Sequence, residues 1–343
     1  MIRFNNDYSQ GAHPAILKAL TDTNNESHGG YGVDVWCERA AQEIKRHLDC
    51  PDAAVHLLMG GTQANFIAIA AALRPYQSAV CADSGHIHAH ETGAVEHSGH
   101  KIITLPSPDG KLTAAQVAAI AANYWSSPIR EHITQPRLVY ISFPTEYGSL
   151  YSLQELTDLH MVCEKYGMYL YIDGARMGYG LAASQDVTLR DLAALSDMFT
   201  IGGTKCGTLF GEALVITNPT LTPDFRSYIK QNGAMLAKGW LLGVQFCALF
   251  ENGLYFDICR RAVAQALEIR AAFAAQGIPA YVDSPTNQQF VILDHAQIEA
   301  LDEKYVFELD HNVDSAHTCV RFCTSWYTSD EDVRTLVEDI KKL

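Results

Sequence analysis

Two residues whose types and positions suggest chemistry are a lysine in a glycine-rich turn and an aspartate that ends an apolar segment. Asp173 follows the apolar run 168–172, and Lys205 lies in Gly-Gly-Thr-Lys-Cys-Gly, directly after a second apolar run at 197–201. Open parallel α/β sheets bind ligands in the crevice outside the carboxyl ends of their strands. We therefore expect the carboxylate and the amine to meet at one crevice.

A lone lysine is most often a solvated surface charge. Among glycines after a buried strand, Lys205 instead suits an amine that is desolvated enough to form a Schiff base. The usual partner of such a lysine is pyridoxal 5'-phosphate, whose pyridine nitrogen needs a carboxylate to keep it protonated. Asp173 can supply that carboxylate, so the sequence predicts this cofactor.

A phosphate site is predicted where Gly60, Gly61 and Thr62 follow a short apolar strand at 55–59 and open an alanine-rich helix. The free amides of a helix start and the helix dipole favour an anion. Plain turn chemistry would give the same residues. Neither GxGxxG nor GxxxxGK[ST] is present, which favours a single phosphate over a dinucleotide or ATP.

The loop after the next predicted strand carries three alternate histidines, His86, His88 and His90, followed by Glu91. Such a run is compatible with a metal cluster or with a loop that faces a ligand. No other His/Cys pair has ligand spacing, so we expect no metal here. A histidine lying flat on the cofactor ring is the favoured interpretation.

Two further polar residues fall at positions that suggest contact with a substrate. Glu146 follows the predicted strand 137–143, at the same crevice. Arg321 lies in the middle of an otherwise apolar strand at 319–323. An arginine on a solvated strand edge would look the same, but its planar fork also suits a substrate carboxylate.

Predicted strands alternate with helices up to about residue 217, which predicts an α/β fold with a mostly parallel sheet flanked by helices. A long helical stretch begins near residue 222. The remainder reads as a smaller α+β segment with a helix at 257–275, strands at 280–283, 289–293 and 319–323, and a closing helix at 331–342. We expect an N-terminal arm at 1–30, a large domain at 31–244 and a small domain at 245–343.

Composition excludes several classes of partner. The 343 residues carry a formal net charge of -14, whereas nucleic-acid binding relies on clustered Lys and Arg. No apolar run is long enough to span a bilayer, and the N-terminus lacks a signal-peptide core. Nine cysteines without a CxxC pair indicate reduced thiols. We expect a cytoplasmic protein with no nucleic-acid or membrane partner.

Taken together, Asp-Gly-Ala-Arg at 173–176, Gly-Gly-Thr at 60–62, Ser-x-His at 84–86 and the Lys205 turn resemble the fold type I pyridoxal phosphate enzymes of the low-specificity L-threonine aldolase group. The resemblance covers nearly the whole chain, and it rests on the ordered set rather than on any one piece. It implies that Lys205 forms the Schiff base, Asp173 binds the pyridine nitrogen, His86 stacks on the ring, and Gly60, Gly61 and Thr62 bind the phosphate. Arg176 and Arg321 match its carboxylate-binding arginines, and Lys238 lies where a basic residue of a neighbouring subunit approaches the site.

The sequence departs from the family pattern at two places that touch the substrate. The family's strand-end Thr-His-Asn is Thr145-Glu146-Tyr147 here, so Glu146 or His86 must take the proton of the substrate hydroxyl; we favour Glu146. The family's Ser-Asp near the N-terminus is matched by Asn5-Asn6, which makes Asn6 a substrate-contact candidate.

The resemblance implies aldol cleavage of L-threonine, L-allo-threonine or a related β-hydroxy-α-amino acid to glycine and an aldehyde, by a homo-oligomer, tetramer or dimer. The alternative is a β-eliminating lyase or an amino-acid racemase on the same cofactor. A cofactor-binding regulator without catalytic activity would normally carry a DNA-binding segment, and no such segment is evident.

Overall fold

A seven-stranded sheet forms the centre of the protein in the computed structural model, which describes residues 1–343. The strand order is β2-β8-β7-β6-β5-β3-β4, and only β8 runs antiparallel to its neighbours. The strands of the chain are β1 (Ile2–Arg3), β2 (Ala54–Leu58), β3 (Gln77–Ala82), β4 (Lys101–Leu105), β5 (Gln135–Ser142), β6 (Tyr169–Asp173), β7 (Met198–Gly202), β8 (Glu212–Ile216), β9 (Gln288–Asp294), β10 (Tyr305–Val306), β11 (Glu308–Asn312) and β12 (His317–Cys323).

Helices cover both faces of this sheet, as the alternating pattern of the sequence predicts. They are α1 (Pro14–Thr23), α2 (Val35–Leu48), α3 (Gly61–Ala72), α4 (His86–Ala89), α5 (Ala94–His97), α6 (Ala114–Ser126), α7 (Leu153–Tyr166), α8 (Met177–Ala183), α9 (Leu189–Leu195), α10 (Phe225–Gln231), α11 (Trp240–Phe250), α12 (Leu254–Ala275), α13 (His295–Asp302) and α14 (Asp330–Ile340). No helix combines the length and the apolar character that crossing a membrane requires.

Two apolar cores, one on each face, explain why the central strands are continuous apolar runs. In β6, Leu170 and Ile172 pack into the core that contains α2, α7 and α12, while Tyr171 packs into the core that contains α3. Strands buried on both faces lose the usual alternation of apolar and polar residues. Strands β3, β5, β6 and β7 run parallel to one another. Their carboxyl ends therefore lie at the same edge of the sheet, as the sequence predicts.

A small antiparallel sheet of order β11-β12-β9 lies in the C-terminal part and packs on α12 and α14. Its core includes Phe4, and β1 pairs in parallel with β10, so the first residues of the chain join this part. The predicted boundary at residue 244 falls inside α11, which packs into a core of the central sheet. The division of the chain into domains stays a prediction.

Two predicted elements are wrong. The long helical stretch after residue 222 is two helices, α10 and α11, separated by a turn that contains Gly233 at a φ of 68°. The strand at 280–283 is reduced to a single bridge between Ala280 and Val291. Both segments contain exposed residues. Their apolar residues were therefore not sufficient to form one continuous helix or a full strand.

Candidate active site

The strand ends of the central sheet border a small, partly open cleft. Five of the residues that were singled out in the sequence contribute to its walls. The cleft is lined by His86, Ser142, Pro144, Thr145, Glu146, Asp173, Ala175, Arg176 and Lys205. Because β3, β5, β6 and β7 are adjacent and parallel, their following loops converge at this point.

Asp173 ends β6 and is 5% exposed. Its Oδ2 accepts hydrogen bonds from the Tyr140 hydroxyl at 2.6 Å and from Asn65 Nδ2 at 2.8 Å, and its Oδ1 accepts from the Ala175 amide at 2.9 Å. Burial acts to raise its pKa, but the charge of His86 and the hydrogen bonds outweigh burial, so the pKa is lowered. Asp173 is therefore held as a carboxylate.

Lys205 lies in a 3-10 turn directly after β7. The turn is tied to the start of β8, because the amides of Gly203 and Thr204 donate to the Gly211 carbonyl at 2.9 and 3.1 Å. Tyr179 donates its hydroxyl to the Lys205 carbonyl at 2.7 Å. Burial, and next the positive charge of Arg176, lower the pKa of the amine. A neutral amine is the form that acts as a nucleophile.

The start of α3 offers donors for an anion. Gly60 is the N-cap without a capping side chain, and the first amide with a helical acceptor is that of Ala64, which donates to the Gly60 carbonyl at 3.0 Å. The amides of residues 61–63 thus have no acceptor in the chain. A Cβ built on Gly60 or Gly61 would meet nothing within 4 Å. This open helix start follows β2 and suits the predicted phosphate site.

His86 begins α4 and is held by two glutamates. Its Nδ1 lies 2.8 Å from Glu91 Oε1, and its backbone amide donates to Glu146 Oε1 at 2.9 Å. Burial would lower the pKa of His86, but the hydrogen bond to Glu91 and the charges of Asp173 and Glu91 raise it. His88 and His90 are exposed, and the ring of His90 lies 5.5 Å from that of His86.

Glu146 also accepts a hydrogen bond from Ser142 Oγ at 2.7 Å. Burial raises the pKa of this carboxyl, and the hydrogen bond from Ser142 offsets that effect only in part. A carboxyl group with a raised pKa can exchange a proton closer to neutral pH than an ordinary glutamate can.

Arg176 forms a two-pronged ion pair with Asp7, in which Nε lies 2.7 Å from Oδ2 and Nη2 lies 3.0 Å from Oδ1. Asn287 also donates to Asp7 Oδ2, at 3.0 Å. Asn6, the predicted substrate contact, accepts hydrogen bonds from the Tyr8 amide and the Ser9 hydroxyl within its own segment and is not among the residues that line the cleft. Its contact with the substrate stays a prediction. Asp7, one residue later, is the buried N-terminal residue that reaches the site.

Arg321 and Lys238 also lie outside the cleft lining. Arg321 donates to the Asn5 carbonyl at 3.1 Å and to Gln288 Oε1 at 3.3 Å, while its Nε is buried without a partner. Lys238 is exposed in the turn between α10 and α11. The approach of Lys238 to the site of a neighbouring chain stays a prediction.

Sequence reasoning missed three residues that organise the site, Asp7, Asn65 and Tyr140, and it considered Glu91 only as part of the histidine loop. Asn65 Nδ2 donates to Glu91 Oε1 at 2.7 Å as well as to Asp173, and Tyr171 donates to Asn65 Oδ1 at 2.8 Å. The sequence signal for Asn65 was its position three residues after Thr62. For Glu91 the signal was the acidic residue at the end of the histidine loop.

The residues present fit pyridoxal phosphate. A charged, buried carboxylate, a half-buried lysine with a lowered pKa and a helix start with free amides lie around the same strand ends. The buried Gln63 Oε1 has no partner in the chain. This donor and acceptor set matches a protonated ring nitrogen, an aldehyde carbon and a phosphate.

Comparisons with known proteins agree with this geometry. Residues 7–332 match the sequence profile of the beta-eliminating lyase family. A low specificity L-threonine aldolase of Pseudomonas sp. is 31% identical over 99% of this chain and 97% of the relative. The solved structure of a Leishmania major threonine aldolase superposes with a TM-score of 0.97 at 42% identity, over 100% of this chain and 99% of that one.

A more distant solved structure, of a Listeria monocytogenes protein described as a putative L-allo-threonine aldolase, has a TM-score of 0.75 at 18% identity and covers 99% of this chain and 96% of that chain. At that identity the likeness concerns the fold alone. The predicted fold class, fold type I with a mostly parallel sheet and a small C-terminal sheet, is confirmed. The chain therefore belongs to the beta-eliminating lyase family.

Proposed function

We propose that the protein is a pyridoxal-phosphate-dependent aldehyde-lyase that cleaves L-threonine, L-allo-threonine or a related β-hydroxy-α-amino acid to glycine and an aldehyde. The observation that carries this proposal is the convergence of Lys205, Asp173 and Glu146 on one cleft. The names of the Pseudomonas and Leishmania relatives point to the same reaction.

The residues have separate tasks. Lys205 would hold the cofactor covalently, the amides at the start of α3 would bind its phosphate, and Asp173 would bind its ring nitrogen. When bound, pyridoxal phosphate supplies an electron sink for the electrons of the broken bond. Because Tyr140 and Asn65 already bind Asp173 Oδ2, the carboxylate is fixed in place before the cofactor arrives.

The arginines and Glu146 act on the substrate. Arg176, oriented by Asp7, and Arg321 would bind the substrate carboxylate and so fix the orientation of the substrate in the cleft. Glu146 accepts the proton of the β-hydroxyl group, because its pKa is raised by burial and it lies in the cleft. A suitably placed general base contributes about a hundredfold or more to the rate.

The protein is proposed to work as a homo-oligomer in which Lys238 approaches the site of a neighbouring chain. Tyr31, Val33 and Val35 are exposed apolar residues beside a cavity at the N-terminal segment. Water-exposed apolar clusters of this kind favour association. The nine unpaired cysteines support a location in the reducing cytoplasm.

Product analysis tests the reaction. The purified protein, loaded with pyridoxal phosphate, is incubated with L-threonine, L-allo-threonine and phenylserine, and glycine and aldehyde are measured. Formation of glycine with an equal amount of aldehyde is the expected result. A keto acid with ammonia would indicate β-elimination, and inversion at Cα would indicate a racemase.

The variant Lys205→Ala provides the control for this assay. It removes the amine that bonds to the cofactor, so the visible absorbance of the lysine-bound cofactor and the turnover should both disappear. Retained absorbance that borohydride fixes to a different lysine would contradict the assignment of Lys205.

A further inference from the structure

We infer that Glu91 is a positioning residue that holds His86 as an imidazolium donor, so that His86 binds the substrate's β-oxygen and leaves the acceptance of the proton to Glu146. The part of this inference that concerns the reaction rests on the proposed function. The part that concerns the state of His86 rests on the chain alone.

The first support is the contact between the two side chains. Glu91 is buried, with a fully enclosed carboxylate, and its Oε1 lies 2.8 Å from His86 Nδ1. His86 Nε2 makes no hydrogen bond within the chain, and the half-exposed ring lines the cleft. With Nδ1 donating to Glu91, a proton on Nε2 points a second donor at the cleft.

Asn65 provides the second support, because it orients the side chain of Glu91. Its Nδ2 donates to Glu91 Oε1 and to Asp173 Oδ2, and its Oδ1 accepts from the Tyr171 hydroxyl. Both hydrogens of one amide are thus used on two carboxylates. Glu91 Oε2 is buried without a partner, so the contacts of this side chain run through Oε1, to Asn65 and to His86 Nδ1.

The pKa of His86 depends on the charged and titratable groups around its side chain. Glu91 and Asp173 raise its pKa, while burial and the charge of Lys205 lower it. The ring of His90 lies 5.5 Å away, and Glu146 binds the His86 backbone amide. The net effect is a raised pKa, which favours the protonated, donating form of His86 over the proton-accepting form.

The titration of His86 can be measured without the reaction. Deuterium exchange at the C2 carbon of each histidine, followed by mass spectrometry, reports its titration midpoint in the cofactor-free protein. We compare the parent with Glu91→Gln, with Glu91→Asp, and with Glu164→Gln as the matched control. Glu164 lies 3.8 Å from the surface residue His160, so this control makes the same chemical change beside another histidine.

The expected result is a midpoint for His86 above the ordinary histidine value in the parent, a lower midpoint in Glu91→Gln, and an intermediate one in Glu91→Asp. Glu164→Gln should leave His86 unchanged. A parent His86 that is uncharged at neutral pH, or an unshifted midpoint in a folded Glu91→Gln variant, would overturn the inference. If Glu91→Gln does not fold, the parent value and Glu91→Asp decide.

The consequence for turnover is measured separately. With threonine at pH 7, Glu91→Gln should lower kcat/KM by about ten- to a hundredfold, as loss of a histidine's orienting partner does elsewhere, and Glu91→Asp should recover part of it. An unchanged kcat/KM in a variant whose His86 has lost its charge would overturn the reaction part alone. If no cleavage of β-hydroxy amino acids occurs in the parent, the proposed function fails while the titration result stands.

Discussion

Glu146 and Glu212 are two carboxyl groups near Lys205 whose pKa values are raised by burial. Only Glu146 lines the cleft and accepts hydrogen bonds from Ser142 and from the His86 amide. Glu212 is 3% exposed, and its Oε2 has no partner. Burial raises the pKa of both carboxyl groups, but only Glu146 can exchange a proton with a substrate, because only Glu146 lines the cleft.

Replacement of Glu146 by Gln should retain cofactor binding and slow the cleavage of threonine by about a hundredfold or more, because the amide cannot accept the hydroxyl proton. Cofactor absorbance and single-turnover rates measure the two effects separately. Should Glu146→Gln cleave threonine at the parental rate while a His86 variant that still holds cofactor does not, the proton acceptor is His86.

Glu212→Gln should stabilise the protein in a manner that depends on pH. Burial raises the pKa of Glu212 from the ordinary 4.5 to about 8, so the folded state binds this proton more tightly than the unfolded state. Its contribution to stability is complete below pH 4.5, falls as the pH rises toward about 8, and is constant above that. The glutamine has no proton to lose.

Thermal melting of the cofactor-free protein between pH 5 and pH 9 measures this effect. The difference in Tm between Glu212→Gln and the parent should grow from pH 5 to pH 8 and then level off. Glu268→Gln, an exposed residue of α12, is the control and should show no such trend. A constant difference across this range would mean that Glu212 is charged throughout.

At the scale of elements, the site depends on how closely the ends of β6 and β7 approach each other. A Cβ on Gly202 would lie 2.2 Å from the carbonyl oxygen of Ala175, far inside van der Waals contact. The Gly202 amide also donates to the Gly174 carbonyl at 2.9 Å. Glycine at this position lets the Asp173 loop and the Lys205 turn lie side by side.

Gly202→Ala should force these two loops apart, lower the stability by about 1–3 kcal/mol as overpacking does, and weaken cofactor binding by at least about tenfold because Lys205 and Asp173 lose their spacing. Thermal melting and cofactor titration measure the two effects. Gly11→Ala, whose Cβ would meet only Leu209 at 4.0 Å, should behave like the parent. Unchanged cofactor affinity in Gly202→Ala would show that the loops can relax freely.

The sequence predicted the elements whose burial is uniform and missed those that depend on distant contacts. Strands β3, β6 and β7 are apolar runs because both of their faces are covered, so Asp173 and Lys205 stood out at their ends. Strand β11 is exposed along its length and has no apolar pattern to detect. The Asn65–Asp173 hydrogen bond joins residues 108 positions apart, and such pairings follow only from the folded topology.

At the scale of the whole molecule, the exposed position of Lys238 bears on assembly. If the active site needs Lys238 of a neighbouring chain, Lys238→Ala and Lys205→Ala should each lose activity on their own. In a mixed dimer, the chain that keeps Lys205 receives an intact Lys238 from its partner. Closed symmetric oligomers place each residue at equivalent interfaces, so every mixed dimer should contain one complete site.

Co-expression of the Lys205→Ala and Lys238→Ala chains tests this arrangement. Random pairing makes about half of the dimers mixed, so about a quarter of the sites, and of the parental activity, should return. If Lys238 served the site of its own chain, no mixed dimer would hold a complete site and no activity would return. Light scattering completes the test, because a fully active species with a mass near the 37.8 kDa of one chain would exclude a shared site.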